Sequence, residues 1–548
     1  MSFRAAGRAV PGDSDFDVVV VGSGCAGLVA ALAVARHGLK VAVLEKSGKI
    51  GGASAMSGAG TWVPANHHAA KAGFSDSVEE AFAYLQGTAP EGWREREGPL
   101  WRRLAKRGPD MLRFVEQSTP LRFRLTPEAD PYPHITGAKT QGRMLSPLPL
   151  SRWRAGRYAF SIRPSTLPEI FTYHEAVETD LYHRPVATIA RLSGRLLFRL
   201  ATNSAGKGTA LIVGLVRGCL DAGVKFYTGA RATGLVRTDG RICAVEVRRG
   251  GRDIVLKASR GVVLASGGFE WDQELRRQYF PGPDGYLGSP ASNEGDGLKM
   301  ALAIGAMVDH LDQATIAPCM PTRYEGRLQG IPVPYYTEPN AIVVDASGQR
   351  FVNEQYFNIG SVLSQLDPAT GLPKHLPAWV IGDSRYLKRL PVARWFSRFD
   401  RNWIVRGSTL LELAERTGLP LRTLQDTVAR YNGFCETGVD TDFGRGANGK
   451  PSADKRKLAG MGPIEQPPFV ALRLDRSILG TKGGPRTDSS GRVLSASGTP
   501  IEGLYCAGAT MANPIGTKAV GAGTTIGPYM TWGYVCGLAI TGQLTQED

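Results

Sequence analysis

No stretch of this 548-residue chain approaches the ~20 consecutive apolar residues that cross a bilayer. The segment before the first strand carries Arg4, Arg8 and turn-forming residues but no apolar signal core. Residues 1–15 therefore read as a disordered lead, and the chain as cytoplasmic. Cysteine is sparse and scattered. Cys25, Cys219, Cys243, Cys319, Cys435, Cys506 and Cys536 form no CxxC pair and have no HxxxH companion. That pattern argues against a disulfide framework and a metal site, and for reduced, buried thiols. Acid is in deficit: 65 Lys and Arg against 50 Asp and Glu leave a net charge of +15. No nucleic-acid-binding motif accompanies the excess, so a nucleic-acid partner is not expected. Basic residues instead interleave with aromatics at 385–406 (RYLKRLPVARWFSRFDRNWIVR) and recur in ARLSGRLLFRLA at 190–201. Two readings stay open for them: a solvated basic face around a substrate entrance, or peripheral contact with an anionic membrane.

What is present begins at 18–27, VVVVGSGCAG. A β-branched run reads as a buried parallel strand, and Gly22, Gly24 and Gly27 complete GxGxxG. The first allows a tight turn, the second lets backbone approach a pyrophosphate, and the third lets a helix pack close to the strand. Ala26 lies within the same turn. An alanine-rich helix follows at 28–37, then a second strand ending in Glu45, whose carboxylate suits both hydroxyls of an unmodified ribose. Directly after it, KSGKIGGASAMSGAG (46–60) forms a second loop of small residues. Such a loop suits a longer cofactor than NAD, so Lys46, Gly51, Gly52, Ala53, Ser54, Ser57 and Gly58 are expected along FAD. Distant segments agree: a hairpin at 232–247 containing Ala232, a strand running into small residues at 261–269 with Ala265 and Gly267, and GLYCAG ending in Gly508. GAGTTIGP then opens a helix whose start, Thr524, Thr525 and Ile526, presents free N–H groups to a reduced flavin.

The length exceeds what one core organises, so two packed domains are expected. The fold class is α/β: a discontinuous Rossmann-like FAD-binding domain (16–282 and 463–548) with an inserted α+β capping and catalytic domain (283–462). The insert opens at the turn-rich PGPDG, contains one helical segment at 408–433, and ends in a Gly/Pro/Lys-rich stretch at 444–468.

In order along the chain, GSGCAG, LEK, GGASAMSG, VVLASGGF, EGDGLKMALAIGA, DASGQRFVNE and GLYCAG resemble the flavoprotein subunits of fumarate reductase and succinate dehydrogenase. Within that family, ADPYPHITGAKTQGR (129–143), VARYNGFCETGVDTDFGRG (428–446), LGTKGGPRTD (479–488) and GAGTTIGPYMTWGY (521–534) are similar to the 3-ketosteroid delta-1-dehydrogenases. The likeness runs from Phe16 to about the C-terminus, interrupted mainly near 181–204. It implies desaturation of a cyclic ketone, with transfer of electrons to an external acceptor. It also implies roles: Tyr356 as the base for the α proton with Tyr336 as second candidate, Tyr132 as its support, and the Gly523 N–H facing the carbonyl. Where the family reads TYAGPGATIGP, this chain reads KAVGAGTTIGP, so Ala519 stands at the carbonyl-binding tyrosine. Lys518, Tyr335, Tyr336 or a water are candidate replacements. The lining expected for an apolar ketone is aromatic: 332–336, Trp532 and Tyr534. Residues 51–55 hold no histidine, so FAD is expected to be non-covalent. Two other functions remain open: a fumarate-reductase-like ene reductase using Arg323, Arg327 or Arg350, and a flavin-binding protein without turnover.

Overall fold

The computed structural model describes residues 15–283, 285–446 and 460–544. Of the expected lead, residues 1–14 lie outside these, and Asp15 already opens the first strand; most of the 444–468 stretch also lies outside. The valine run suits a strand buried on both faces, and Asp15–Val21 forms β1. The helix after it, Cys25–Ala35 (α1), is buried at every position. A helix that is apolar all round needs cover on every side, and α1 has it from the sheet and from two later helices. Next come β2 (Val41–Glu45), the short α2 (Gly52–Met56), α3 (Pro185–Ala201) and α4 (Lys207–Asp221). Strands β3 (Lys225–Thr228), β4 (Arg252–Leu264) and β5 (Pro500–Cys506) and the helix α5 (Ile526–Ile540) complete the unit.

The sheet runs β5-β4-β1-β2-β3, all parallel, so each strand end points to the same edge. An antiparallel strand, Arg492–Leu494, borders β5, and a hairpin of Ala230–Thr238 and Arg241–Arg249 extends from β4. The partner of β4 therefore arrives some 240 residues later in the chain, and α5 then packs on α1.

The inserted part carries a four-stranded antiparallel sheet in the order Ala341–Val344, Ala378–Gly382, Phe469–Leu474, Ile404–Gly407. Alternation sorts its side chains: Val343, Val380 and Leu472 face a core with Tyr335, Tyr386 and Trp403, while Ile342, Ile381 and Ala471 meet a helical layer.

Three expectations change here. The single helix expected at 408–433 is two, Leu410–Thr417 and Leu421–Thr437, because Gly418 turns left-handed (φ 73°) and Pro420 follows. The border at 462 falls too early, since Phe469–Leu474 is an interior strand of the cap sheet. The border at 283 also falls too early: the helix Asp296–Ala303 puts Met300 and Ala301 into the FAD-domain core. Turn-rich composition marks where the chain bends, not which sheet it joins.

Candidate active site

Val21, Glu45 and Leu264 end three neighbouring parallel strands, and a cavity of about 300 Å³ opens at this edge, where such sheets bind ligands. Gly22 has φ +110°, and a Cβ there would sit 2.1 Å from the Ala265 carbonyl oxygen. Only glycine fits. Gly24 is the opposite case: a Cβ would meet only Ser54 Oγ, 3.6 Å away, so backbone there is bared to the cavity. Helices α1 and α5 both start on the cavity, so the positive ends of their dipoles meet it, which suits a pyrophosphate and a negatively charged reduced ring.

Glu45 is oriented before any ligand arrives. Its carboxylate accepts from Ser23 Oγ (2.6 Å) and from the Ser47 N–H (2.9 Å), and Ser23 Oγ accepts from the Gly51 N–H (3.0 Å). The two glycine loops are thus tied through one acid. Lys46 Nζ donates to Glu294 (2.9 Å) and Asp296 (2.7 Å), which draws the start of the helix Asp296–Ala303 to the cavity wall.

Of the cofactor residues read from the sequence, Gly22, Gly24, Ala26, Glu45, Lys46, Gly52, Ala53, Ser54, Ser57, Gly58, Ala232, Ala265, Gly267, Gly508, Thr525 and Ile526 line the cavity. Gly27, Gly51 and Thr524 stand behind it. Gly27 gives room beneath the Gly22 carbonyl, Gly51 packs on Ala55 and Ile212, and Thr524 Oγ1 donates to Gly521 O. Sequence reasoning missed Thr166, Leu167, Asn293 and Asp296 in the lining. It also missed Glu270, fully buried, which accepts from Ser289 Oγ (2.5 Å), Asn293 Nδ2 (2.8 Å) and the Thr481 N–H (3.1 Å). Glu270 fastens three wall segments together.

A second cluster lies beyond the 519–526 loop. Tyr132 Oη accepts from Asn358 Nδ2, and Tyr356 is an aromatic neighbour of Tyr132. The two rings are 6.4 Å apart. Asn358 Nδ2 also donates to Ala519 O (2.8 Å), and its Oδ1 accepts from the Ala519 N–H (2.9 Å). Lys518 Nζ sits 4.7 Å from the Tyr132 ring centroid. Burial first, and Tyr356 second, push the Tyr132 phenol well above its ordinary value, so it keeps its proton at neutral pH. Because an amide N–H already donates to Tyr132 Oη, its own proton is free to point at Tyr356. Asn358 was not singled out in the sequence; only its position two residues past Tyr356 could have drawn attention.

Other candidates do not join this cluster. Tyr336 is buried in the cap core beside Tyr335, whose hydroxyl donates to Arg473 O. Trp532 belongs to the core of the FAD domain and Tyr534 stacks on Phe114; Tyr529 lines the cavity instead. Arg350 is spent on Glu354 and Asp440, and Arg327 stacks on Trp271.

A strand-edge cradle with two helix N-termini, a ribose acid and a long second glycine loop defines an FAD-dependent oxidoreductase. A family model described as FAD binding domain matches residues 17–526, and the chain belongs to that family. It is 35% identical to a 3-oxosteroid 1-dehydrogenase of Mycobacterium tuberculosis (strain ATCC 25618 / H37Rv), over 96% of this chain and 99% of that one. It is 34% identical to a 4-oxocyclohexanecarboxylate 2-dehydrogenase of Sinomonas cyclohexanicum, over 98% and 94%. Among solved structures it matches 3-ketosteroid delta1-dehydrogenase from Sterolibacterium denitrificans in complex with 1,4-androstadiene-3,17-dione. That match has a TM-score of 0.84 and 30% identity, over 97% of this chain and all of the other. The open form of a flavocytochrome c3 fumarate reductase shares the fold (TM-score 0.64, 22% identity, 97% of this chain and 79% of that one).

Proposed function

We propose that this enzyme introduces a double bond beside the carbonyl of a cyclic ketone, of the class that includes 3-ketosteroids and oxocyclohexanes. The observation that carries the reading is the juxtaposition of Tyr356 with Tyr132, which Asn358 ties to the Ala519 peptide. Tyr356 takes the α proton, and the neighbouring Tyr132, which keeps its own proton, supports it as a hydrogen-bond donor. The Gly523 N–H faces the carbonyl oxygen and stabilises charge developing there. Bound FAD supplies the hydride acceptor. Arginine-assisted ene reduction is less well supported, because Arg350 pairs with Glu354 and Asp440, Arg327 stacks on Trp271, and Arg323 is exposed on the strand Cys319–Tyr324. The test is anaerobic mixing with neutral cyclic ketones. Bleaching of the oxidised flavin band is the expected result; reoxidation only by fumarate-like acids would overturn the reading. The same preparation should release all its FAD on denaturation, and flavin left on the polypeptide would refute non-covalent binding.

Ala519 sets the expected substrate preference. Its peptide is held on both sides by Asn358, which fixes the point from which a side chain there projects. Ala519→Tyr should raise turnover of ordinary 3-ketosteroids relative to smaller or branched ketones, by restoring a phenol donor and narrowing the pocket. An unchanged ranking in a folded, FAD-loaded variant would show that this position does not face the carbonyl. Among the described residues no helix is long and apolar enough to cross a membrane; the working position proposed is peripheral, at a lipid surface that holds apolar ketones.

A further inference from the structure

Helix α3 buries Thr188, Leu192, Leu196 and Arg199 against the rest of the protein, a stripe at helical spacing. Most of its other residues are exposed. Val186 is 80% exposed, Phe198 68%, Leu200 67% and Leu197 66%, with Ile189 about half exposed and alanines, Ser193 and Gly194 between them. On a helical wheel the arc from Ile189 round to Phe198 spans about half the circumference and contains no charge. Arg191 and Arg195 stand at its rim, largely exposed, in long ion pairs with Glu178 (3.9 Å) and Glu175 (3.7 Å). Beside the C-terminal end of α3, Arg152 N donates to Asn203 O and Ser151 Oγ to Thr202 O. These bonds dock the turn Arg152–Tyr158 there, exposing Trp153 and Phe160, 5.2 Å apart, among Arg154 and Arg157.

We infer that α3, with Trp153 and Phe160, lies in the plane of an anionic lipid surface. The inference rests on the peripheral position proposed above and identifies the face that makes it. An apolar arc this wide on the outward side of a helix belongs against hydrocarbon. Long cationic side chains at the rim reach headgroups while their stems follow the apolar face. A second copy of this chain is the weaker occupant: it would bring the same arginine rim, and a +15 charge, against this one. The location suits substrate entry. Leu167 lines the cofactor cavity, and it packs with Tyr182 on the cap core just before α3 begins. The basic-aromatic segment 385–406, singled out in the sequence, offers less: Tyr386, Leu387, Leu390 and Trp403 are buried, which leaves Trp395 exposed with Arg398 over its ring.

The experiment is sedimentation of the full-length, FAD-loaded protein with vesicles of phosphatidylcholine alone or mixed with phosphatidylglycerol. Binding to the mixed vesicles, weakened by salt, is expected. Leu197→Gln with Phe198→Gln should weaken it on the order of 10²-fold, and Arg191→Gln with Arg195→Gln roughly tenfold. Flavin reduction by a water-soluble ketone is read in parallel and should not change in either variant. Failure of that reduction in the unaltered protein would sink the dehydrogenase reading while leaving the lipid result to stand. No binding to mixed vesicles, or binding unaltered by the Leu197 and Phe198 changes, overturns the inference. So does a dimer in solution that those changes dissolve, which would make a second copy the occupant.

Discussion

Tyr356→Phe should leave a yellow, folded protein whose flavin is reduced by ketone ~10²–10⁴ times more slowly, the usual cost of losing one general base. The ring itself packs between the cap core and the Tyr132 cluster, and phenylalanine preserves that contact while removing the proton acceptor. Tyr132→Phe should cost less, because it removes a supporting hydroxyl and not the proton acceptor. The pH profile reports on Tyr132. Tyr132, held well above its ordinary value by burial, remains a donor over the accessible range, and no descending limb should appear from it. Stopped-flow reduction under anaerobic conditions measures both. A wild-type rate in Tyr356→Phe would remove Tyr356 from the mechanism.

Glu45→Arg should strip the cofactor. The carboxylate is nearly buried and already aligned by Ser23 and Ser47, so little ordering remains when a ribose binds. Two charge-assisted hydrogen bonds are worth about 1.5–3 kcal/mol each. Losing both weakens FAD binding by about 10²–10⁴-fold, before the penalty of an unpaired cation in that place. Glu45→Gln keeps the shape and should fall between. The flavin-to-protein ratio after desalting, with fluorescence titration of the apoprotein, reads the effect. Full flavin retention in Glu45→Arg would mean that the ribose lies elsewhere.

The cofactor half was legible because its signal is local. Strand, glycines, helix, strand and acid follow one another between Asp15 and Glu45, and each residue type has one physical task there. The cap was less so. Its sheet takes Phe469–Leu474 between two strands that precede it in sequence, and no periodicity announces a partner that distant. The helix Asp296–Ala303 looked like part of the insert because a turn precedes it, yet its apolar face and Asp296 belong to the other domain. Asn358 illustrates the deeper limit. It is an ordinary polar residue until folding brings it to Tyr132 and Ala519, 226 and 161 positions away.

The late arrival of β5 and α5 has a consequence for biosynthesis. While the ribosome is still making the cap, β4 has an open flank and the wholly apolar α1 lacks the helix that will cover it. Nascent chains therefore display a sticky, half-built nucleotide domain through most of translation, a state that invites aggregation and chaperone capture. Premature termination anywhere before Pro500 leaves β4 without the strand that flanks it. Such fragments should be insoluble or degraded rather than partly active, so the last few dozen codons act as the gate on whether any cofactor is loaded.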